Sequence, residues 1–218
     1  MADGNWVEIG RATTNRIPDS NIDIFLDLDG PPICPNMTDA EFRKMVLKNR
    51  DRAIAHVETR LSDLRRWTAK DQARVALWFG SSDGGARERL INGLTAIARV
   101  LHELAPKNFV RYSDEMVKHL GCAPNMKNPT GVVADVCGPD TSTHTIYIHI
   151  DFCSMREFSW DKDSMVSTLI HEVSHFKDTF GTQDHIYFMS KSLQLAKTNP
   201  ELTLDNADSI AGYVIYEA

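Results

Sequence analysis

His171-Glu172-Val173-Ser174-His175 sits inside a run, Met165, Val166, Leu169, Ile170, Val173 and Phe176, whose apolar residues recur at helical spacing. Asp163 or Ser164 supplies the N-cap and Gly181 the stop, which predicts an amphipathic helix ending at Gly181. Residues four apart on a helix are separated by about 40° around the axis and about 6 Å along it, so both imidazoles can reach one Zn²⁺. Glu172, next to the first histidine, can take a proton from a water at the metal without itself coordinating. Two histidines and a glutamate can also share an exposed stripe by chance, but a zinc-binding helix directly after a hairpin is the reading this context supports.

Upstream of that helix the pattern has period two. Val132-Val133-Ala134-Asp135-Val136 and Thr143 to Ile150 flank a Gly138-Pro139-Asp140 turn and predict a hairpin, with Ile146, Ile148, Ile150 and Phe152 on one face. His149 then shares the opposite face with Tyr147 and Asp151, as a solvated polar face or as a cleft edge to which a substrate backbone adds. Strand-like residues run from Phe109 to Cys153. Before them, Thr38 and Glu41 form a capping box for a helix to about Arg66, a second helix covers Lys70 to Phe79, and a third ends before Pro106. Gly80-Ser81-Ser82-Asp83-Gly84-Gly85 reads as a turn, since no Lys-Ser/Thr follows to make a phosphate loop. Residues 1–37 are proline-dotted, with one strand-like stretch, Ile22 to Leu28, and are taken as an N-terminal extension; 38–218 form the catalytic domain. Helices, a hairpin, then helices make an α+β fold.

The chain of 218 residues carries 24 basic and 30 acidic residues, for a net charge of −6, with 42% hydrophobic and 25% charged residues. That is an ordinary globular balance with no basic block, so nucleic acid is not an expected partner. No apolar run approaches the roughly 20 residues of a membrane helix, and the start lacks the pattern of a signal peptide, so neither membrane nor leader is expected and the compartment stays open. Cys34, Cys122, Cys137 and Cys153 match no zinc or redox spacing and are read equally as disulfides or buried thiols. His56, His102, His119 and His144 have no ligand-like spacing.

A zinc hydrolase needs a third protein ligand and an open position, for which Asp178, Asp184, His185, Asp208 and Glu217 are candidates. The metzincin pattern is excluded, because Asp178 and Gly181 stand where its Gly and His belong. Asp178 continues along the helix and points off the site, whereas a left-handed Gly181 would turn the chain back and bring Asp184 beneath the metal, so Asp184 is the economical choice.

With Gly181-Thr182-Gln183-Asp184-His185-Ile186-Tyr187 following it, the motif closely resembles the aspzincin family, the deuterolysins and peptidyl-Lys metalloendopeptidases. Trp78-Phe79-Gly80, Ile146-Tyr147-Ile148 and Asn206-Ala207-Asp208 also resemble its landmarks. The resemblance implies a zincin-like fold, with His171, His175 and Asp184 as the ligands of one zinc ion, Glu172 as general base and Tyr187 as donor to the oxyanion. It implies a metalloendopeptidase acting on protein or peptide substrates, with an exopeptidase or amidase on a small substrate, or an effector module acting on one protein, as alternatives. Phe188 stands where the motif continues with Gly. Asp208 is read either as a wall of the pocket for the residue after the scissile bond or as a helix cap. Ala211 occupies the position where Lys-specific members carry an acid, so cleavage before lysine is expected as a preference only.

Overall fold

The computed structural model describes residues 31–119, 122 and 131–217, and from Pro32 onward they form one unit. The strand expected over Ile22 to Leu28 lies outside the described residues.

The Thr38 hydroxyl accepts from Glu41 N at 3.2 Å and the Glu41 carboxylate from Thr38 N at 2.8 Å, the reciprocal box that starts α1 (Asp39–Arg66) where its sequence predicts it. Phe42, Val46, Val57, Leu61 and Leu64 line its buried face. Thr68 and Asp71 cap α2 (Ala69–Phe79) the same way, and Gly80, at φ 71°, ends it in the left-handed region. Asp83 then caps α3 (Gly84–Glu103), so the Gly/Ser stretch is a turn between two helices. α1 and α3 pack together and support α5 (Met165–Ser174), which also packs against α7 (Ala207–Ile215).

The strands are shorter than predicted and number three among the described residues: β1 (Phe109–Arg111), β2 (Ala134–Val136) and β3 (Ile146–Ile148). β2 and β3 pair antiparallel, with Asp135 opposite Tyr147, which is the expected hairpin. β1, not anticipated as a separate strand, runs parallel to β3 with Val110 opposite Tyr147. A helix, α4 (Asp114–His119), interrupts the region read as strands. β3 is therefore the central strand, buried on both faces, and Tyr147 is as enclosed as Ile146 and Ile148. The expected apolar face fails at Ile150, which is 55% exposed because the chain leaves the sheet there for a 3₁₀ turn, Ile150–Ser154.

The four cysteines form two disulfides, Cys34–Cys153 and Cys122–Cys137. The first closes 119 residues and ties the segment before α1 to the turn after β3, and Asn36 Nδ2 adds a bond to Cys153 O at 3.1 Å. Cross-links of such span act mainly by restricting the unfolded chain.

After α6 (Met189–Thr198) and a 3₁₀ turn, Pro200–Asp205, the chain enters α7, whose Gly212 lies under the fully buried Trp78 ring. A Cβ there would sit 2.2 Å from Trp78 Cη2. Gly212→Val should cost about 2–3 kcal/mol by overpacking, read as a lower midpoint in thermal unfolding. An unchanged midpoint would mean that the α2–α7 contact yields easily.

Candidate metal centre

α5 is shorter than its pattern predicts. The Ser164 hydroxyl caps it by accepting from Ser167 N, and it ends at Ser174 rather than Gly181. The end comes early because other groups take its last carbonyls: the Thr179 hydroxyl donates to Val173 O at 2.7 Å and Thr182 N donates to Ser174 O at 3.1 Å. His175 nevertheless keeps right-handed helical dihedrals, φ −73° and ψ −22°, so the four-residue spacing still brings the two imidazoles together. Gly181, at φ 65°, turns the chain back as expected.

The returning segment is laced to α7's approach. Gln183 N donates to Asp205 O at 2.7 Å and Ala207 N to Gln183 O at 3.1 Å. The Asn206 side-chain oxygen, fully buried, accepts from His185 N and Ile186 N at 3.1 and 3.0 Å, which fixes the turn carrying Asp184 and Tyr187. Asn206 carries no chemistry of its own, and only its place beside Asp208 in the sequence hinted at this role.

Of the five candidates for a third ligand, only Asp184 shares the space in front of the imidazoles. Asp178 faces Arg99 and His144, at 2.6 and 3.2 Å. His185 pairs with Asp205 at 2.9 Å, and Glu217 meets Arg60 and Arg74. Asp208 stands behind His171, its Oδ1 accepting from Nδ1 at 2.6 Å, while its Oδ2 accepts from Phe188 N at 2.5 Å. His175 Nδ1 is held by Thr182 O at 2.9 Å. Both Nε2 atoms are thus turned to the front.

The front donors are mutually close: His171 Nε2 to His175 Nε2 is 3.1 Å, His171 Nε2 to Asp184 Oδ1 is 3.2 Å, and His175 Nε2 to Asp184 Oδ1 is 3.4 Å. Donors placed about 2.0–2.1 Å from a tetrahedral zinc would be about 3.3–3.4 Å apart, so the three fit the edges of one coordination tetrahedron with a corner left over. The electrostatics agree. Burial disfavours a charged His171, yet Asp208, Asp184 and Glu172 outweigh it and push its pKa well up, so the site favours positive charge.

Glu172 lies 4.0 Å from His171 Nε2 and is 4% exposed. Burial pushes its carboxyl up to about 7, the two histidines opposing and Asp184 and Asp135 adding to the rise. A carboxylate so placed takes a proton readily. The Tyr187 ring lies nearly parallel to that of His171, centroids 6.5 Å apart, and is 40% exposed. Burial first, then the Asp184 carboxylate, push its phenol up, which keeps it a donor. Phe188 occupies φ 76°, which accounts for the glycine that the motif resemblance puts there.

These groups open into a cavity of about 770 Å³ between α5 and β2. Two expectations change here. The strand along the cavity is β2, an edge strand, not the β3 segment, because β3 lies in the middle of the sheet. His149 is not among the lining residues; its Nε2 meets Asp135 at 2.6 Å and its ring stacks on Tyr112 at 4.0 Å. Asp135 and Asp163 do line the cavity, and their sequence contexts gave no signal for either.

A family model described as aspzincin, lysine-specific metallo-endopeptidase, matches residues 65–215. The chain belongs to the aspzincin family. Among the curated relatives of this aspzincin chain, a peptidyl-Lys metalloendopeptidase of Pleurotus ostreatus is 51% identical over 47 residues, which cover 22% of the chain and 28% of the relative. The Armillaria mellea peptidyl-Lys metalloendopeptidase is 49% identical over 47 residues, 22% of the chain and 13% of the relative. An extracellular protease of Aeromonas hydrophila is 43% identical over 47 residues, covering 22% and 14%. The matched stretch thus spans less than a third of each relative. A zinc peptidase from Grifola frondosa superposes with a TM-score of 0.63 at 22% identity, over 80% of this chain and 94% of that one, which establishes the zincin-like fold. Membership in a family of zinc peptidases implies zinc as the metal.

Proposed function

We propose that this aspzincin domain is an endopeptidase in which His171, His175 and Asp184 hold one zinc ion per chain. The observation that carries the reading is the triangle of donor atoms, 3.1–3.4 Å on a side, beside a buried glutamate that is not one of its corners. Zinc held there supplies Lewis acidity, making a water molecule easier to deprotonate and the scissile carbonyl more electrophilic. Glu172 takes the proton of the attacking water and delivers it to the leaving amine. Tyr187 donates its hydroxyl hydrogen to the carbonyl oxygen as that oxygen gains negative charge. Asp208 positions: by holding His171 Nδ1 and Phe188 N together it sets the imidazole against the turn that carries Tyr187.

The edge of β2, unpaired among the described residues, suits a peptide adding as an antiparallel strand, which is how an internal stretch of substrate would be presented. His149 then acts from behind, holding Asp135 of that strand. The two disulfides suit an oxidising compartment as the place of action. Incubating zinc-loaded protein with a complex peptide mixture and sequencing the new ends should show internal cuts that a chelator abolishes. Terminal trimming would favour an exopeptidase, and an inert protein would refute the proposal.

Tyr187→Phe should lower kcat by on the order of 10² with zinc content and KM little changed, because the lost bond forms mainly in the transition state. Wild-type turnover in single-substrate kinetics would leave Tyr187 a packing role only.

A further inference from the structure

Phe188 holds φ 76° and ψ 134°, outside the regions open to a residue with a Cβ, whereas a glycine would take that conformation without strain. Such strain persists only where the surroundings impose it. Here they do: Phe188 N donates to Asp208 Oδ2, and Phe188 O accepts from Lys191 N and Ser192 N at 3.1 and 3.0 Å. All three bonds are made by the backbone, so glycine would keep them. The ring itself returns little to the fold, being 52% exposed. It meets the exposed Lys191 ammonium 5.1 Å from its centroid, a weak pair in open solvent. A bulky aromatic side chain held in a glycine conformation, without the burial that would offset the strain, points to a contact made with something outside the chain.

We infer that Phe188 is a specificity-determining residue, the platform for a large apolar side chain of the substrate two or three residues after the scissile bond. The inference rests on the endopeptidase reading above, with a peptide added antiparallel to β2, and deepens it. Phe188 lines both the main cavity and an adjoining groove of about 440 Å³. Met155 and Met189 give that groove further apolar surface, and thioethers pack well against an aromatic ring. Its charged lining residues, Arg156 and Lys162 against Asp161 and Asp163, balance in sign, so apolar contact rather than net charge is what the groove has to offer. The direction of the chain follows from β2. Gly138, just past the end of that strand, accepts from Lys177 N at 2.9 Å, and a Cβ on it would sit 2.9 Å from His175 O, so β2 ends against the end of α5. An antiparallel peptide therefore has its N-terminal half at that end and carries its C-terminal half toward the start of α5, where Met155, Asp163 and Phe188 lead from the cavity into the groove. The first residue after the cut stays beside the metal donors, and the next two come within reach of the Phe188 ring.

The test uses peptides that all carry lysine directly after the cut and differ in having phenylalanine or serine at the second or at the third position after it. With zinc-loaded protein, the phenylalanine-to-serine ratio of kcat/KM should be about tenfold at one of these positions. Phe188→Ala and Phe188→Gly should both bring it close to one, and Phe188→Leu should keep most of it. The same exchange two residues before the cut should give a ratio that none of these variants moves. Thermal unfolding separates the ring from the backbone: Phe188→Gly, which relieves the strain, should melt at or above the wild-type midpoint, and Phe188→Ala, which keeps the strain, below Phe188→Gly. The preference is read without turnover as the Kd of each peptide on Glu172→Gln protein, with and without Phe188→Ala, and should fall by a similar factor. A wild-type ratio near one at both positions, or a ratio that survives Phe188→Ala and Phe188→Gly, overturns the inference. A Phe188→Gly protein that melts well below wild type overturns it too, since the ring would then serve packing. A wild-type protein that cuts none of the peptides refutes the endopeptidase reading instead, and the Kd ratio then decides alone whether Phe188 binds the apolar residue.

Discussion

Glu172→Gln is expected to leave zinc content at about one per chain while turnover falls by 10² to 10⁴, the usual scale for losing a general base. The substitution keeps size and hydrogen-bonding capacity but removes the carboxylate assigned to take the proton. Glu172 lies 4.0 Å from His171 Nε2, outside the triangle of front donors, so the metal should not notice the change. The variant should also fold, since a neutral amide in a site that is 4% exposed avoids the cost of burying a charge. Metal analysis and steady-state kinetics on the same preparation decide the matter. Loss of zinc would make Glu172 a ligand, and near-normal turnover would move the base elsewhere.

How much of this site was legible beforehand depends on whether the determining contact is local. The pairing of His171 and His175 follows from helix geometry, and it survives although the helix stops at Ser174, since His175 needs only one more residue of helical dihedrals. Gly181 announced the reversal, and the reversal brought Asp184 to the metal donors. Asp208 was readable as part of the site but not as what it does there. Its partners, His171 and Phe188, are 37 and 20 residues away in sequence, and no local pattern records a bond between a helix's first turn and another helix's side.

The sheet shows the same limit. Alternation in Thr143 to Ile150 identified a strand but implied one apolar and one polar face, which would have left Tyr147 and His149 toward the cleft. Because β1 pairs on one side of β3 and β2 on the other, β3 is central, Tyr147 is buried and His149 turns to Asp135. β1 itself is three residues long, too short for a period to show, and its partner is distant in sequence. The disulfides were undecidable for a related reason: Cys34 and Cys153 meet only because α1 and the sheet pack on one core.

Asp184→Ala should strip the zinc, whereas His185→Ala should leave it. By residue type histidine is the commoner ligand of the two, so sequence neighbours alone would not favour the aspartate. The geometry separates them. Asp184 Oδ1 is 3.2 and 3.4 Å from the two Nε2 atoms, and those imidazoles, despite the burial that opposes ionisation, hold its carboxyl far below the usual range. His185 instead turns outward to Asp205 at 2.9 Å, and its contribution to the turn is its backbone N–H on Asn206, which alanine retains. Removing Asp184 reduces three protein ligands to two and takes away the one negative charge among them, so affinity should fall by orders of magnitude and activity with it. Competitive titration against a chelator measures both variants on one scale. Retained zinc in Asp184→Ala together with its loss in His185→Ala would require the turn after Gly181 to run the other way, placing His185 over the metal and leaving Tyr187 without a substrate oxygen to face.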